Sequence, residues 1–145
     1  MVNTRVLFES AAFLKLSHSA YSSFDNGSFN EKIGVVIGSA NIISDAVEAT
    51  GESTPAFCTL DHERVFGVHR RLREGDAIIG WYHTHDGSST PSRIDEDIQS
   101  NWQAFEGTLS VIVDVRHAQI AVWRTGSDGI EEVQFAVVPT VQKTE

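Results

Sequence analysis

The sequence predicts one α/β domain, a mixed central sheet flanked by helices. Three observations carry that expectation. Ile33-Gly34-Val35-Val36-Ile37-Gly38 is almost unbroken in apolar character, and Ala77–His83 is a second such run. Short uninterrupted runs of this kind mark strands buried on both faces. Elsewhere apolar residues return every three or four positions, as in Phe13, Leu16, Ala20 and again in Ile94, Ile98, Trp102, Phe105. That period predicts helices with one apolar stripe. The 145 residues form one domain, able to bury about two-thirds of the surface its unfolded chain exposes.

The elements follow in order. Val6-Leu7-Phe8 is a short β-type run, and a helix is expected over Ser10–Ser22. Asp25-Asn26-Gly27-Ser28 reads as a loop before the strand 33–38. Asn41–Ala49 reads as a second strand and Thr50–Pro55 as a loop. A second helix is expected over Asp61–Leu72, closed by Gly75. The strand Ala77–His83 leads into a loop, Asp86–Pro91, and then the third helix, ended by Gly107. Leu109–Val115 and Ala118–Arg124 pair around a tight turn at Arg116-His117. Gly126-Ser127-Asp128-Gly129 turns the chain into a last strand, Glu132–Val138, in which Val133, Phe135 and Val137 alternate. The core spans about 5–138, and the tail from Pro139 is expected to fray.

Composition narrows the function classes. A formal charge of −9 argues against nucleic acid as the main partner, since phosphate neutralisation requires a basic surface. The cluster His69-Arg70-Arg71-Leu72-Arg73 is either a patch for an acidic partner or a solvated helix face. No apolar run reaches the ~18 residues of a membrane span, and Met1–Leu7 does not make a signal peptide. With the single Cys58 unable to form an internal disulfide, the expectation is a cytoplasmic protein. Cys58 itself reads as a small buried apolar residue rather than a nucleophile.

The chemistry centres on His83-Thr84-His85. Strand side chains alternate, so both imidazoles emerge on one face, roughly 6–7 Å apart along the chain, and can converge on one metal ion. Zinc accepts histidine nitrogen and carboxylate oxygen, and a catalytic site keeps one position open. Asp95, ten residues on in the first turn of the third helix, is the best third ligand. Ser92-Arg93-Ile94-Asp95 also fits plain helix capping, with Ser92 capping the backbone and an acidic residue near the positive helix end. The upstream histidines favour ligation. Glu31, just before the strand 33–37, is placed to act as a base; the alternative is a solvated charge. His62 and His69 share a helix face without a carboxylate pattern, and His18 and His117 read as surface or turn residues.

In combination, Glu31-Lys32-Ile33-Gly34, His83-Thr84-His85 and Ser92-Arg93-Ile94-Asp95 resemble the pattern of the JAMM, or MPN+, metalloproteases. Gly80-Trp81-Tyr82-His83-Thr84-His85 and Asp95-Glu96-Asp97-Ile98-Gln99 are similar to the branch found in the proteasome lid and the COP9 signalosome. The resemblance covers about residues 5–138. It implies an MPN-type, cytidine-deaminase-like fold and one zinc ion per chain, held by His83, His85 and Asp95. It further implies cleavage of the isopeptide bond between ubiquitin, or a ubiquitin-like protein, and a lysine. Glu31 would activate the zinc water and deliver its proton to the leaving amine, and Ser92 would steady the oxyanion. Implied partners are ubiquitin-like conjugates and another MPN-type or proteasome-like subunit.

Three departures stand out. Six residues separate His85 from Ser92, against about seven in the family, so this loop is tighter. Asp86 stands where the family has proline, as a solvated loop residue or one that tunes the metal. The strands around Arg116-His117 meet almost directly, so an insertion that helps relatives hold a ubiquitin-like tail is missing there. The region 51–76 remains as a groove or lid. Two other readings stand beside the isopeptidase: a zinc peptidase acting on ordinary peptides or small amides, and a metal-free scaffold that pairs with a partner protein.

Overall fold

The computed structural model describes residues 5–25, 27–55, 58–92, 108–126 and 129–140. β1 (Val6–Glu9) runs directly into α1 (Ser10–Tyr21). Two residue pairs, β2 (Phe24–Asp25) and β3 (Ser28–Phe29), form a small hairpin inside the expected loop. β4 (Ile33–Ser39) and β5 (Ile42–Glu48) follow as an antiparallel pair. β6 (Thr50–Ser53), β7 (Cys58–Leu60) and α2 (His62–Arg70) lead to β8 (Ala77–His85). The chain then forms β9 (Leu109–Asp114), β10 (Gln119–Gly126), β11 (Gly129–Val133) and β12 (Phe135–Val138). The helix expected from Ile94 to Phe105 lies outside the described residues. Among those residues, no helix is long and apolar enough to cross a membrane.

Eight strands make one sheet in the order β11-β10-β9-β8-β4-β5-β1-β12. It is mixed: β8 with β9, β5 with β1 and β1 with β12 are parallel, and the other neighbours are antiparallel. β11 and β12 stand at opposite ends of this order although Gln134 alone separates them in the chain. A flat sheet would hold them roughly 34 Å apart, at about 4.8 Å per strand spacing, whereas one intervening residue spans about 7 Å. The sheet is therefore curled until its first and last strands meet.

The strand expected over Glu132–Val138 is thus two. The alternation of Val133, Phe135 and Val137 runs through the break, but Val133 pairs with Val122 and Phe135 with Val6. Thr50–Pro55 is likewise not a free loop. Thr50–Ser53 is paired with Cys58–Leu60, and Thr54 accepts a hydrogen bond from the Glu31 N–H.

Strand alternation divides the core. Val36, Ala46, Tyr82, Val111 and Val113 lie on the face covered by Ala12, Leu16 and Ala20 of α1. Val35, Ile37 and Val47 lie on the other face, under Val65 and Val68 of α2 and the following Leu72. A bulge at Ile79 of β8 keeps both faces filled, with Ile78 turned toward α2 and Ile79 toward α1. Gly34 is required opposite Tyr82, because a Cβ there would run into the phenol ring. Gly80 is required for the same reason against the Leu109 carbonyl.

The C-terminal segment is anchored farther than expected. The Ala11 N–H donates to the Thr140 hydroxyl at 2.8 Å, and the Ser10 and Thr140 hydroxyls are 3.1 Å apart. Glu9, the N-cap residue of α1, makes no side-chain cap, so Thr140 satisfies an orphan helix donor from across the sequence.

Candidate metal centre

Tyr82 and Thr84 of β8 face α1, so Trp81, His83 and His85 project from the opposite side. On that side α2 covers the Ile37–Ile78 end of the sheet, leaving the His83 end for a cleft. His83 pairs with Ile33 on one neighbour and Ile112 on the other, and His85 pairs with Asp114. The two Nε2 atoms are 3.0 Å apart, with rings in an edge-to-face arrangement. A tetrahedral zinc ion with Zn–N bonds of about 2.0–2.1 Å sets two donor nitrogens about 3.3 Å apart. His83 is 5% exposed, so burial limits the ways its ring can turn from this geometry.

The residue between the histidines locks β8 to the segment before β4. The buried Thr84 donates its N–H to the Lys32 carbonyl at 3.0 Å. Its hydroxyl accepts the Lys32 N–H at 2.9 Å and lies 2.8 Å from the Ser23 hydroxyl. Glu31, one residue earlier, is fixed from its other side. Its N–H donates to Thr54, and its carbonyl accepts the Ser53 hydroxyl. These bonds set the position of the Glu31 backbone relative to the histidine strand. Glu31 and His85 line one cleft of about 560 Å³, together with Phe29, Pro55 and Ser88.

Asp114, which the sequence reading passed over, organises the loop after His85. It is 1% exposed, and one carboxylate oxygen accepts the N–H groups of Gly87, Arg116 and His117 at 2.9, 3.0 and 3.3 Å. The other oxygen meets the His117 imidazole at 2.7 Å. Burial alone would raise the carboxyl's pKa, but these hydrogen bonds outweigh it and hold the group below the ordinary carboxylate value. The signal in the sequence is an acidic residue that ends an otherwise apolar strand just before a turn. His117 is a turn residue, as expected, but an engaged one.

Asp86 is not simply solvated. Arg116 grips it with two hydrogen bonds, 2.9 and 3.1 Å long, and this pairing raises the guanidinium's own pKa. The Trp123 indole donates to the Ser89 carbonyl at 3.0 Å. The short loop from His85 is therefore stapled at Asp86, Gly87 and Ser89.

His83, His85 and Glu31 are brought to one end of the sheet. Ser92 is exposed and does not line the cleft with Glu31 and His85. Asp95 lies outside the described residues. Among the described residues, no three histidine, cysteine, aspartate or glutamate side chains gather to hold a metal ion. His62 and His69 are exposed on α2, and Cys58 is half-buried in β7.

No protein-family model and no curated protein matches the chain. Among solved structures, the chain is similar to the solution structure of protein DSY2949 from Desulfitobacterium hafniense, with a TM-score of 0.70. The match spans 92% of this chain and 93% of that one at 14% sequence identity. At that identity the likeness is one of fold. The chain is a sheet-dominated, mixed α/β protein.

Proposed function

We propose that this chain is an MPN-type domain of the JAMM family, a zinc-dependent isopeptidase that cleaves a ubiquitin-like modifier from a lysine. The observation that carries the reading is the pair of Nε2 atoms 3.0 Å apart, beside a cleft that His85 shares with Glu31. Two imidazole nitrogens near tetrahedral separation fit zinc, and the sequence spacing nominates Asp95 as third ligand, leaving a coordination position open. When bound, zinc supplies Lewis acidity that polarises the scissile carbonyl and makes water more acidic.

The chain's own residues supply the remaining steps. The Glu31 carboxylate takes a proton from the attacking water and returns it to the leaving lysine amine. The family resemblance assigns the Ser92 hydroxyl to the oxygen on which negative charge develops, a role that requires Ser92 to move in from its exposed position outside the cleft. Backbone bonds from Glu31 to Ser53 and Thr54 limit the drift of the base during this exchange. A conjugate-bearing protein or a second MPN-type subunit supplies the remaining grip on the modifier.

Purified protein is expected to contain about one zinc per chain by elemental analysis and to release a modifier from a lysine isopeptide. Glu31→Gln retains the zinc and slows cleavage by at least about 100-fold, the range of a lost general base. An unchanged rate would refute the assigned mechanism. Equal hydrolysis of short unmodified peptides would move the substrate class to ordinary peptides.

A further inference from the structure

Asp86 places a second carboxylate in the cleft that His85 and Glu31 share. It follows His85 directly, at the point where β8 ends. Aspartate oxygen is a zinc donor in its own right, so this side chain has two partners within its chemistry, the metal and Arg116. Arg116 stands in the turn between β9 and β10 and does not line the cleft. Its guanidinium takes both Asp86 oxygens, at 2.9 and 3.1 Å, the forked geometry in which arginine holds a carboxylate best.

The fork is not needed to hold the loop. The His85 carbonyl accepts the Val115 N–H at 3.0 Å, and the Gly87 N–H donates to Asp114 at 2.9 Å. The backbone is thus fixed on both sides of Asp86. Arg116 is fixed in the same way, by its own N–H on Asp114 at 3.0 Å. With both backbones anchored, what the fork decides is where the Asp86 carboxylate goes. Its worth to stability is small, because the Arg116 side chain is 61% exposed. Held in this way, Asp86 does not join His83 and His85 in a three-residue metal group among the described residues.

We infer that Arg116 is a positioning residue that keeps the Asp86 carboxylate off the metal and so leaves one coordination position open. The inference rests on the metal centre proposed above. Ligation by His83, His85 and Asp95 leaves a tetrahedral ion one position for water. A fourth protein ligand from Asp86 would give the closed coordination of a structural zinc site, with no place for water. A carboxylate forked on Arg116 cannot at the same time lie on the ion. Arg116 therefore lowers the affinity for metal and preserves access to it.

The test compares the parent with Arg116→Met, which keeps the length of the side chain without the fork, and with Arg116→Met combined with Asp86→Asn. Zinc affinity is read by competition with a chromophoric chelator, and coordination by the visible spectrum of the cobalt(II)-loaded protein. Arg116→Met is expected to bind zinc about tenfold more tightly, to alter the cobalt bands and to cleave the isopeptide about tenfold more slowly, the range seen for groups that orient metal ligands. Adding Asp86→Asn is expected to restore the parent's affinity and spectrum. Damage to the loop would weaken metal binding, so a tighter site distinguishes an added ligand from a structural fault. Thermal melting verifies folding, and Arg116→Lys, which keeps the charge but loses the fork, serves if the methionine variant does not fold. The inference is overturned if losing the fork leaves zinc affinity unchanged or weaker, or if Asp86→Asn does not reverse the change. A parent that binds neither zinc nor cobalt overturns the metal centre itself, and the inference with it.

Discussion

The two faces of β8 do different work with alternate residues of the same strand. Toward α1, Tyr82 is fully buried and donates its hydroxyl to Ser19 at 2.7 Å, and Thr84 is closed into bonds with Lys32 and Ser23. Burial pushes the Tyr82 phenol well above its ordinary pKa, so it stays a neutral structural group. Toward the cleft, His83 and His85 turn their ring nitrogens to each other. A period of two lets one strand invest stability on one side and chemistry on the other. The difference gives a rule for substitutions over 82–85, beyond the bulge at Ile79: the odd positions are to change function more than fold, and the even positions the reverse.

The largest expected effect tests the odd side. His85→Ala, or His83→Ala, is expected to reduce bound zinc from about one per chain to none by elemental analysis. The His85→Ala variant should melt within a few degrees of the metal-stripped parent, because His85 is only partly buried, whereas His83→Ala also loses the packing of a ring that is 5% exposed. A variant that unfolds outright would erase the proposed separation.

Next comes Asp114, the register partner of His85. Asp114→Ala leaves the N–H groups of Gly87, Arg116 and His117 without their shared acceptor and is expected to destabilise by about 2–3 kcal/mol in urea unfolding. The parent carries a pH signature of the same group. Its folded pKa is depressed, so its stabilisation is present above the ordinary carboxylate pKa and is lost as pH falls through the folded value. Asp114→Asn should flatten that acid limb of the stability curve; an unchanged limb would assign it to other carboxylates.

A smaller effect tests the even side. Thr84→Val keeps the volume but removes the acceptor for the Lys32 N–H, at a cost of about 1–3 kcal/mol, whereas Thr84→Ser keeps the oxygen and should recover most of it. If Glu31 is held in place through this contact, the valine variant lowers kcat with zinc content unchanged. The smallest effect lies outside the comparison. Lys15 and Asp45 form an ion pair at 2.7 Å but are 56% and 43% exposed, and Lys15→Ala should change stability by less than about 1 kcal/mol.

The sequence made legible what depends on neighbours in the chain. α1, β4 and β8 announce themselves by their own periodicity, because each buries a face whatever its partners are. The alternating His83 and His85 are readable for the same reason. β6 was not, since Thr50-Gly51-Glu52-Ser53 has weak strand character, and its tertiary bonds to Glu31 are invisible locally. Nor was the break at Gln134, where alternation continues and only the pairing partner changes. Asp114 escaped notice because its importance lies in donors from Gly87, far away in sequence, as well as from the adjoining turn. Glu31 was nominated by resemblance, and its shared cleft with His85 is a product of the β4–β8 ladder. Asp95 and the helix expected after it lie beyond what the structure describes.

The meeting of the sheet's two ends also orders events in time. β1 pairs with β12 through Val6 and Phe135, and the Phe8 ring packs edge-on against Phe135 at 5.4 Å. During synthesis β1 can find β5 early, but its other edge waits until β12 has emerged. Contacts of such sequence separation slow folding and leave an unsatisfied edge exposed meanwhile. Completion of β12 is thus the step that closes the sheet, and Thr140 then seals the start of α1 two residues later.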